Sequence, residues 1–197
     1  MIVPVKFRKG GEAIQGTYSF FSTLGGIGYV KVYLAGGTIE ANTKDYYATL
    51  DNSISSDHDN YFTDGNVDLD FDLDIEKSFK IKAADAVMCW CQLNGGGQSC
   101  QVTWNIYHVD AAGVETLLGT ANGDTYTNAS SAAVRKAIRI TMKAKSFKKG
   151  EKLRINAVQT ASAGSGLRYD PAGRAVGGTA FSNTGDSFLS LPVELPI

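Results

Sequence analysis

The most regular pattern in the chain is a strict alternation of apolar residues and aspartates over positions 67–75. Five apolar side chains alternate there with four aspartates, Asp68, Asp70, Asp72 and Asp74. Successive side chains of a β-strand point to opposite faces of the sheet, whereas a helix would spread both sets around its circumference. The segment therefore predicts a strand with one buried face and one face in water.

Similar alternation predicts strands along much of the chain. They are expected at positions 27–34, 87–93, 101–109, 115–120, 137–143, 152–160 and 187–195. The predicted core consists of Leu69, Phe71, Leu73, Trp104, Ile106, Ile140, Leu153 and Ile155. In the strand at 87–93 the apolar set is Val87, Cys89, Cys91 and Leu93, and Trp90 lies on the opposite face. A short segment at 130–136 is the single helix candidate.

Glycine and polar residues mark turns between the strands. Glycines at 95–97 predict a hairpin between the two tryptophan-bearing strands, the segment 110–113 predicts a second hairpin, and 148–151 predicts a third turn. Two polar or glycine-rich segments, near 42–64 and 161–185, are expected to be long loops. The sequence thus predicts an all-β fold, an antiparallel β-sandwich of jelly-roll type, in which residues 1–197 form a single domain.

Composition and charge narrow the function classes. The chain has 197 residues, of which 43% are hydrophobic and 20% charged, and its formal net charge is −1. Because nucleic-acid binding usually needs a basic surface, no nucleic-acid partner is expected. No apolar run is long enough to predict a membrane span, and the first residues lack the pattern of a secretory signal. We therefore expect a chain that does not bind a membrane and that is either made in the cytoplasm or was trimmed earlier.

The aspartate row at 67–75 invites a calcium-site hypothesis, which the spacing does not support. An EF-hand loop needs glycine at its sixth position and glutamate at its twelfth, whereas counting from Asp68 gives Leu73 and Phe79. A solvated strand face that blocks unwanted edge pairing is the favoured interpretation. A contact bridged by a cation or made with a basic partner is the alternative, and the lysine-rich segment 135–154 of a second copy could be that partner.

Cysteine and histidine are too few for an obvious reactive centre. Cys89, Cys91, Cys100 and His108 could in principle surround a zinc ion, but zinc sites favour Cys-x-x-Cys turns with further ligands. We expect buried, reduced thiols without a metal. A hydrolase needs a base beside a nucleophile, and neither His58 nor His108 has a glycine-flanked serine elbow near it in the sequence. No catalytic, cofactor-binding or metal-ligating residue is predicted, no cofactor is expected, and the chain is not expected to be an enzyme.

The order of several short motifs carries a family resemblance. These are Val5-Lys6-Phe7-Arg8-Lys9-Gly10-Gly11, Trp104-Asn105-Ile106-Tyr107-His108-Val109-Asp110, Phe147-Lys148-Lys149-Gly150-Glu151-Lys152-Leu153-Arg154-Ile155 and the ending Leu191-Pro192-Val193-Glu194-Leu195-Pro196. The chain resembles small jelly-roll virion proteins of tailed phages and related viruses, found as capsid decoration or minor capsid components. The resemblance implies a non-enzymatic virion structural protein that is assembled in the host cytoplasm. It also implies binding to the major capsid protein or other virion proteins and to its own copies, with a trimer favoured.

Exposed aromatic residues would indicate a second function. A carbohydrate-binding module or adhesin-like head would present tryptophan or tyrosine rings along a groove. Trp104 alternates with apolar residues and is expected in the core, whereas Trp90 is a candidate for stacking against a sugar. The exposure of Trp90 and of the tyrosines distinguishes this alternative from the virion function.

Overall fold

The structure is a computed structural model, and it describes residues 7–9, 12–14, 27–40, 43–51, 65–94, 98–127, 132–162, 165–168 and 187–194. Within these ranges all regular structure is β. The strands are β1 (Phe7–Lys9), β2 (Glu12–Ile14), β3 (Ile27–Glu40), β4 (Thr43–Thr49), β5 (Val67–Asp74), β6 (Phe79–Ile81), β7 (Asp85–Asn94), β8 (Ser99–Val109), β9 (Glu115–Asn122), β10 (Tyr126–Thr127), β11 (Ala132–Thr141), β12 (Lys145–Phe147), β13 (Lys152–Ala161), β14 (Gly166–Arg168) and β15 (Phe188–Glu194).

Thirteen of these strands form one sheet, and β1 and β2 form a separate pair. The main path runs β10-β8-β13-β5-β4-β3-β15-β6-β12; β9 pairs with β8, and β7 pairs with β15, β11 and β14. Most pairs are antiparallel, but β4 and β5 are parallel, so the sheet is mixed. The strands β9 and β11 approach each other from its two ends, where the Lys143 amide donates to the Leu118 carbonyl at 2.8 Å just after β11.

The sheet is therefore nearly closed into a barrel-like shape within a single domain. The all-β prediction is confirmed. The finer prediction of a jelly roll made of antiparallel sheets is not shown, because the parallel β4–β5 pair interrupts the antiparallel order.

Side-chain alternation decides which residues enter the core. In β8 every second residue is buried, including Val102, Trp104 and Ile106. Trp104 meets Trp90 of β7 across the interior, with 5.7 Å between ring centroids. The other predicted core residues are also buried, except that Leu73 is only partly buried where β5 approaches its end.

The structure places Trp90 of β7, the candidate for stacking against a sugar, inside the barrel. Met88 and Trp90 point into the core and are almost fully buried, whereas Cys89 lies on the other face and is half-buried. Both faces of this strand carry apolar side chains, so alternation alone could not distinguish them. Packing against Trp104 brings the larger Trp90 ring inside.

Two predicted local structures were wrong. The tryptophan-bearing strands β7 and β8 do not form a hairpin, because β7 pairs with β11 and β15 while β8 pairs with β13 and β9. The helix candidate at 130–136 is a strand from Ala132 onward, since β11 pairs with β7 along ten positions. Strand β4 lies within the predicted loop segment 42–64, and β14 lies within the segment 161–185. Residues 52–64 and 169–186 lie outside the described residues.

The hairpin at 110–113 is confirmed. It joins β8 to β9, and Gly113 has a φ of 84°, a conformation that favours glycine. The Asp110 carboxylate accepts hydrogen bonds from the amides of Ala112 and Val114, both at 2.9 Å. The hydrogen bond from the Val114 amide, together with that from Ala112, holds the pKa of Asp110 below its usual value. The turn at 148–151 is also present, with Gly150 at a φ of 89°, but it joins strands that do not pair with each other.

A substitution at Gly119 tests whether β9 and β11 meet where the sheet nearly closes. A Cβ at this position would lie 2.8 Å from Ile140 Cγ2 and 2.9 Å from the carbonyl oxygen of Thr141. We expect Gly119→Ala to lower the free energy of unfolding by about 1–3 kcal/mol, because the contact overpacks the junction of β9 and β11. Urea denaturation measures the change, with Asn122→Ala on the same strand as the control. Equal stabilities would show that the two strands do not meet as described.

Candidate binding face

A ladder of polar side chains crosses four neighbouring strands on the outside of the barrel. Asp70 of β5, Asn156 of β13, Asn105 of β8 and Thr120 of β9 occupy one register row. Thr120 Oγ1 donates to Asn105 Oδ1 at 2.6 Å, and Asn105 Nδ2 donates to Asn156 Oδ1 at 3.0 Å. Asn156 Nδ2 in turn donates to Asp70 at 2.8 Å and to Asp68 at 2.6 Å. The row is thus fixed by side-chain hydrogen bonds from one end to the other.

Arg154 joins this ladder to the adjacent row. Its guanidinium donates to both carboxylate oxygens of Asp72, at 2.7 and 2.9 Å, in the bidentate geometry of the strongest arginine–carboxylate pairs. Its Nη1 also lies 2.8 Å from Asp70 and 2.7 Å from Glu115. Burial alone would raise the pKa of Asp72, but the hydrogen bonds and charge of Arg154 outweigh burial and hold that pKa below its usual value. One arginine therefore connects β13 to both β5 and β9.

These side chains surround a shallow depression of about 490 Å³. Its lining consists of Asp68, Asp70, Asn105, Tyr107, Glu115, Asn156 and Val158. We call the outward surface of β5, β13, β8 and β9 the polar face. Because carboxylates, amides and a tyrosine line the depression, the polar face offers both hydrogen-bond acceptors and donors to a partner.

The four aspartates of β5 point away from the core as predicted, but they are not simply surrounded by water. Asp68, Asp70 and Asp74 are exposed, while Asp72 is partly buried beneath Arg154. The alternative interpretation placed a basic partner on a second copy, whereas Arg154 and Lys152 of β13 in the same chain lie beside the aspartates. The sequence signal was available in the alternating polar residues of β13, but only the register places them beside the aspartates.

His108 and Glu151 form a second polar pair, at the end of the barrel. His108 Nε2 lies 2.8 Å from Glu151 Oε2, and the histidine side chain is only 5% exposed. The amide of Lys148 also donates to Glu151, and this bond, followed by that of His108, lowers the pKa of the Glu151 carboxyl. His108 Nδ1 is buried without a hydrogen-bond partner, and the ring packs edge-on against Phe147. Because Glu151 Oε2 contacts both His108 and the Lys148 amide, the pair holds the turn at 148–151 in place.

The cysteines lie apart from His108 and form no metal cluster. Cys91 and Cys100 are buried, Cys89 is half-buried, and all three are free thiols. Within the described parts of the chain, no group of three or more potential ligands is arranged to hold a metal ion. His58 lies outside those parts.

We expect the thiols to react slowly in the folded protein. Burial raises the pKa of Cys100 to about 11, so at pH 8 very little of this group is the reactive thiolate. A colorimetric thiol assay should show a fast increase in reactivity only after unfolding in denaturant, and elemental analysis should find no zinc. Stoichiometric zinc, or immediate reaction of Cys100 in the native state, would contradict this prediction.

The tryptophans do not form a sugar-stacking platform. Trp90 is 2% exposed and Trp104 is fully buried, so neither ring is available to a ligand. Among the described residues, Tyr107 is the aromatic side chain that lines the depression of the polar face. The Trp90 ring is therefore not available for stacking against a sugar, and any glycan site on this face would depend on Tyr107.

The opposite side of the barrel carries cations. We call the outward surface of β3, β15, β7 and β11 the basic face, which presents Lys31, Arg135 and Arg139 as exposed residues. Lys31 Nζ lies 4.5 Å and Arg135 Cζ 5.8 Å from the centre of the Phe188 ring. These cation–π contacts hold the two side chains over the middle of the face.

No helix among the described residues has the length and apolar character needed to cross a membrane. No protein-family model matches the chain, and no curated protein matches its sequence.

Two crystal structures of a CocE/NonD family hydrolase from Staphylococcus aureus share the fold. One matches with a TM-score of 0.51 at 12% identity, covering 81% of this chain and 41% of the hydrolase. The other matches with a TM-score of 0.54 at 14% identity, covering 84% of this chain and 36% of the hydrolase. The chain therefore spans less than half the length of these structures, and the part it resembles is their C-terminal β-sandwich domain. The resemblance to virion proteins predicted from the sequence is wrong, because the shared fold is that of a hydrolase's β domain.

Proposed function

We propose that this chain is a non-catalytic β domain that binds a partner through its polar face. The observation that carries the proposal is the hydrogen-bonded ladder from Thr120 to Asp70 with Arg154 beside it. Side chains that are already ordered lose less conformational entropy when a partner binds, so such a face is preorganised for recognition. The expected virion role came from the family resemblance and is not part of this proposal.

The absence of a reactive constellation on the described surface supports a binding role. Asp72 and Arg154 neutralise each other in a bidentate pair, and the neighbouring amides donate to carboxylates without a nucleophile between them. Nucleophilic catalysis needs a nucleophile within hydrogen-bond reach of a base. The described residues of the polar face offer hydrogen-bond donors and acceptors for recognition, but they do not include such a nucleophile and base.

A second candidate follows from the shared fold. A domain that resembles the C-terminal β domain of a hydrolase could pack against a catalytic domain instead of acting alone. The polar face would then be an interface between domains. This candidate also assigns no catalytic residue to the chain itself.

Recovery of the tagged chain from the cells that make it tests the proposal. The comparison uses wild type, the polar-face variant Tyr107→Ala/Asn122→Arg, and the control Ser146→Arg, which adds the same charge at an exposed site on β12. Mass spectrometry should find material, either other proteins or unlabelled copies of the chain, that is retained by wild type and the control and lost from the polar-face variant. Equal recovery with all three proteins, or ester hydrolysis by the isolated chain, would overturn the proposal.

A further inference from the structure

The depression of the polar face contains carboxylate oxygens that the hydrogen-bonded ladder leaves unused. Asp70 has both of its carboxylate oxygens engaged, one by Asn156 and the other by Arg154. In contrast, the bonds formed within the described part of the chain engage a single oxygen of Asp68 and a single oxygen of Glu115. Both of these side chains are exposed and line the depression. Each therefore offers an oxygen to the hydroxyl or amine group of a ligand.

Two other groups of the depression are able to donate. Asn105 Nδ2 carries two hydrogens and, among the described residues, donates one of them, to Asn156 at 3.0 Å. Tyr107 is half-buried and lines the depression, and none of the described residues forms a hydrogen bond with its hydroxyl group. A phenolic hydroxyl group can both donate and accept. The groups available to a ligand therefore include acceptors, an amide donor and a hydroxyl group that serves as either.

The charges around these groups favour a neutral ligand over an ion. Carboxylates would repel an anion, and the described residues include no group of three or more potential ligands for a metal ion. An organic cation would meet the guanidinium of Arg154, which already lies 2.8 Å from Asp70 and 2.7 Å from Glu115. It would also leave the free amide hydrogen of Asn105 without an acceptor, which costs free energy if that group is covered. A neutral ligand with several hydroxyl groups satisfies the donors and the acceptors together.

Apolar surface lies at the two ends of the depression. Tyr107 pairs with Arg154, and Val158 lies four residues further along β13, a separation of about 13 Å. Leu117, which pairs with Tyr107 from β9, is exposed. One face of a sugar ring presents C–H groups, which pack against an aromatic or aliphatic side chain, while its hydroxyl groups lie around the edge. Polar groups between two apolar ends therefore match a short oligosaccharide, and the volume of about 490 Å³ is within the usual range for small-molecule sites.

We infer, on the basis of the proposed function, that the polar face binds a neutral glycan. Its hydroxyl groups donate to Asp68 and Glu115 and accept from Asn105, while a sugar ring packs against Tyr107. A protein of the source cells that carries such a glycan would be the material retained in the recovery experiment. Because the depression is shallow and leaves much of a ligand in water, the affinity for a single oligosaccharide should be weak, with a Kd on the order of 0.1–1 mM. Binding should change little with salt, since the ligand is uncharged.

An array of immobilised oligosaccharides tests this inference. The array carries neutral oligosaccharides beside sialylated and amine-bearing ones, and the biotinylated chain is presented on streptavidin, because linked copies detect weak sites through avidity. Wild type should bind a subset of the neutral oligosaccharides at both low and high salt. Titration calorimetry with the soluble form of a bound oligosaccharide then measures its Kd for the single chain.

Variants of the lining residues locate the binding site. Tyr107→Ala should weaken binding by about threefold to tenfold, because it removes the ring that packs against the sugar. Tyr29→Ala is the matched control, since Tyr29 is a half-buried tyrosine on β3, outside the polar face, and it should bind like wild type. Glu115→Gln keeps the shape of an exposed side chain and replaces a charged acceptor with a weaker neutral one, so binding should also weaken. Circular dichroism checks that each variant is folded, and Glu115→Gln provides the test if Tyr107→Ala is not.

The outcomes separate this inference from the proposed function. The glycan ligand is overturned if wild type binds no neutral oligosaccharide, if it binds only amine-bearing ones and loses them at high salt, or if Tyr107→Ala and Glu115→Gln bind as well as Tyr29→Ala. If wild type still retains a protein from the source cells, and enzymatic removal of the glycans leaves that retention unchanged, the proposed function stands while this inference fails. If neither an oligosaccharide nor a retained protein is found, both fail.

Discussion

Replacing Phe71 with alanine is expected to lower the free energy of unfolding by about 3–5 kcal/mol. Phe71 is fully buried at the centre of β5, and its ring meets that of Tyr46 edge-on at 5.5 Å. The substitution removes apolar contact area and leaves a cavity that the rigid strands around it cannot fill. Urea denaturation followed by circular dichroism measures the change.

Leu73→Ala is the matched control for Phe71→Ala. Leu73 lies two residues further along the same strand and is only partly buried. Its truncation should therefore cost less, since the neighbouring side chains and water can occupy the vacated space. A loss below about 1 kcal/mol for Phe71→Ala, or a larger loss for Leu73→Ala, would mean that the inward face of β5 is assigned incorrectly.

Arg154→Leu is expected to lower the free energy of unfolding by about 2–3 kcal/mol at neutral pH. The variant removes the bidentate pair with Asp72 and the contacts to Asp70 and Glu115, and it leaves three carboxylates close together. The effect should fall below that of breaking a fully buried pair, because Arg154 is 21% exposed. Lys152→Leu is the control on the same strand. The Lys152 ammonium is 43% exposed and lies 3.5 Å from Asp72, so its loss should cost well under about 1 kcal/mol.

The pH dependence of stability provides an independent measurement of the Arg154–Asp72 pair. The pKa of Asp72 is lowered in the folded protein, so the unfolded chain takes up this proton first as the pH falls. The stabilisation is therefore complete above about pH 4, the usual pKa of an aspartate, and is lost as the pH falls through the lower folded value. Arg154→Leu should lose less stability than wild type between pH 7 and the acid range. Glu151 and Asp110 also have lowered pKa values, but they are unchanged in the variant. Parallel pH profiles for both proteins would show that the pair does not stabilise the fold.

A binding role for the polar face gives Arg154 two effects that experiment can separate. The side chain stabilises the fold through Asp72, and it also fixes Asp70 and Glu115 at the edge of the depression. Tyr107 contributes to the lining of the depression without these ion pairs. Variants of Tyr107 therefore test binding with little loss of stability, whereas variants of Arg154 change both.

The sequence by itself determined the strands whose two faces differ in polarity. The alternation in β5 gives both the strand and its buried side, and in β8 it places Trp104 and Ile106 inside. This succeeds because side-chain direction in a strand is a local property of the backbone with a period of two residues. The turn at 110–113 was predictable for the same reason, since Asp110 and Gly113 satisfy its geometry from within the turn.

Only the tertiary structure decided which strands are neighbours and which side of an apolar strand is buried. The sequence could not place Trp90 inside, because both faces of β7 are apolar and the choice depends on Trp104 of another strand. Arg154 and Asp72 are 82 positions apart in the chain, and only the pairing of β13 with β5 brings them together. Strand pairing depends on the free energy of the whole core, because a local pattern fixes the side to which a residue points and not the strand beside it.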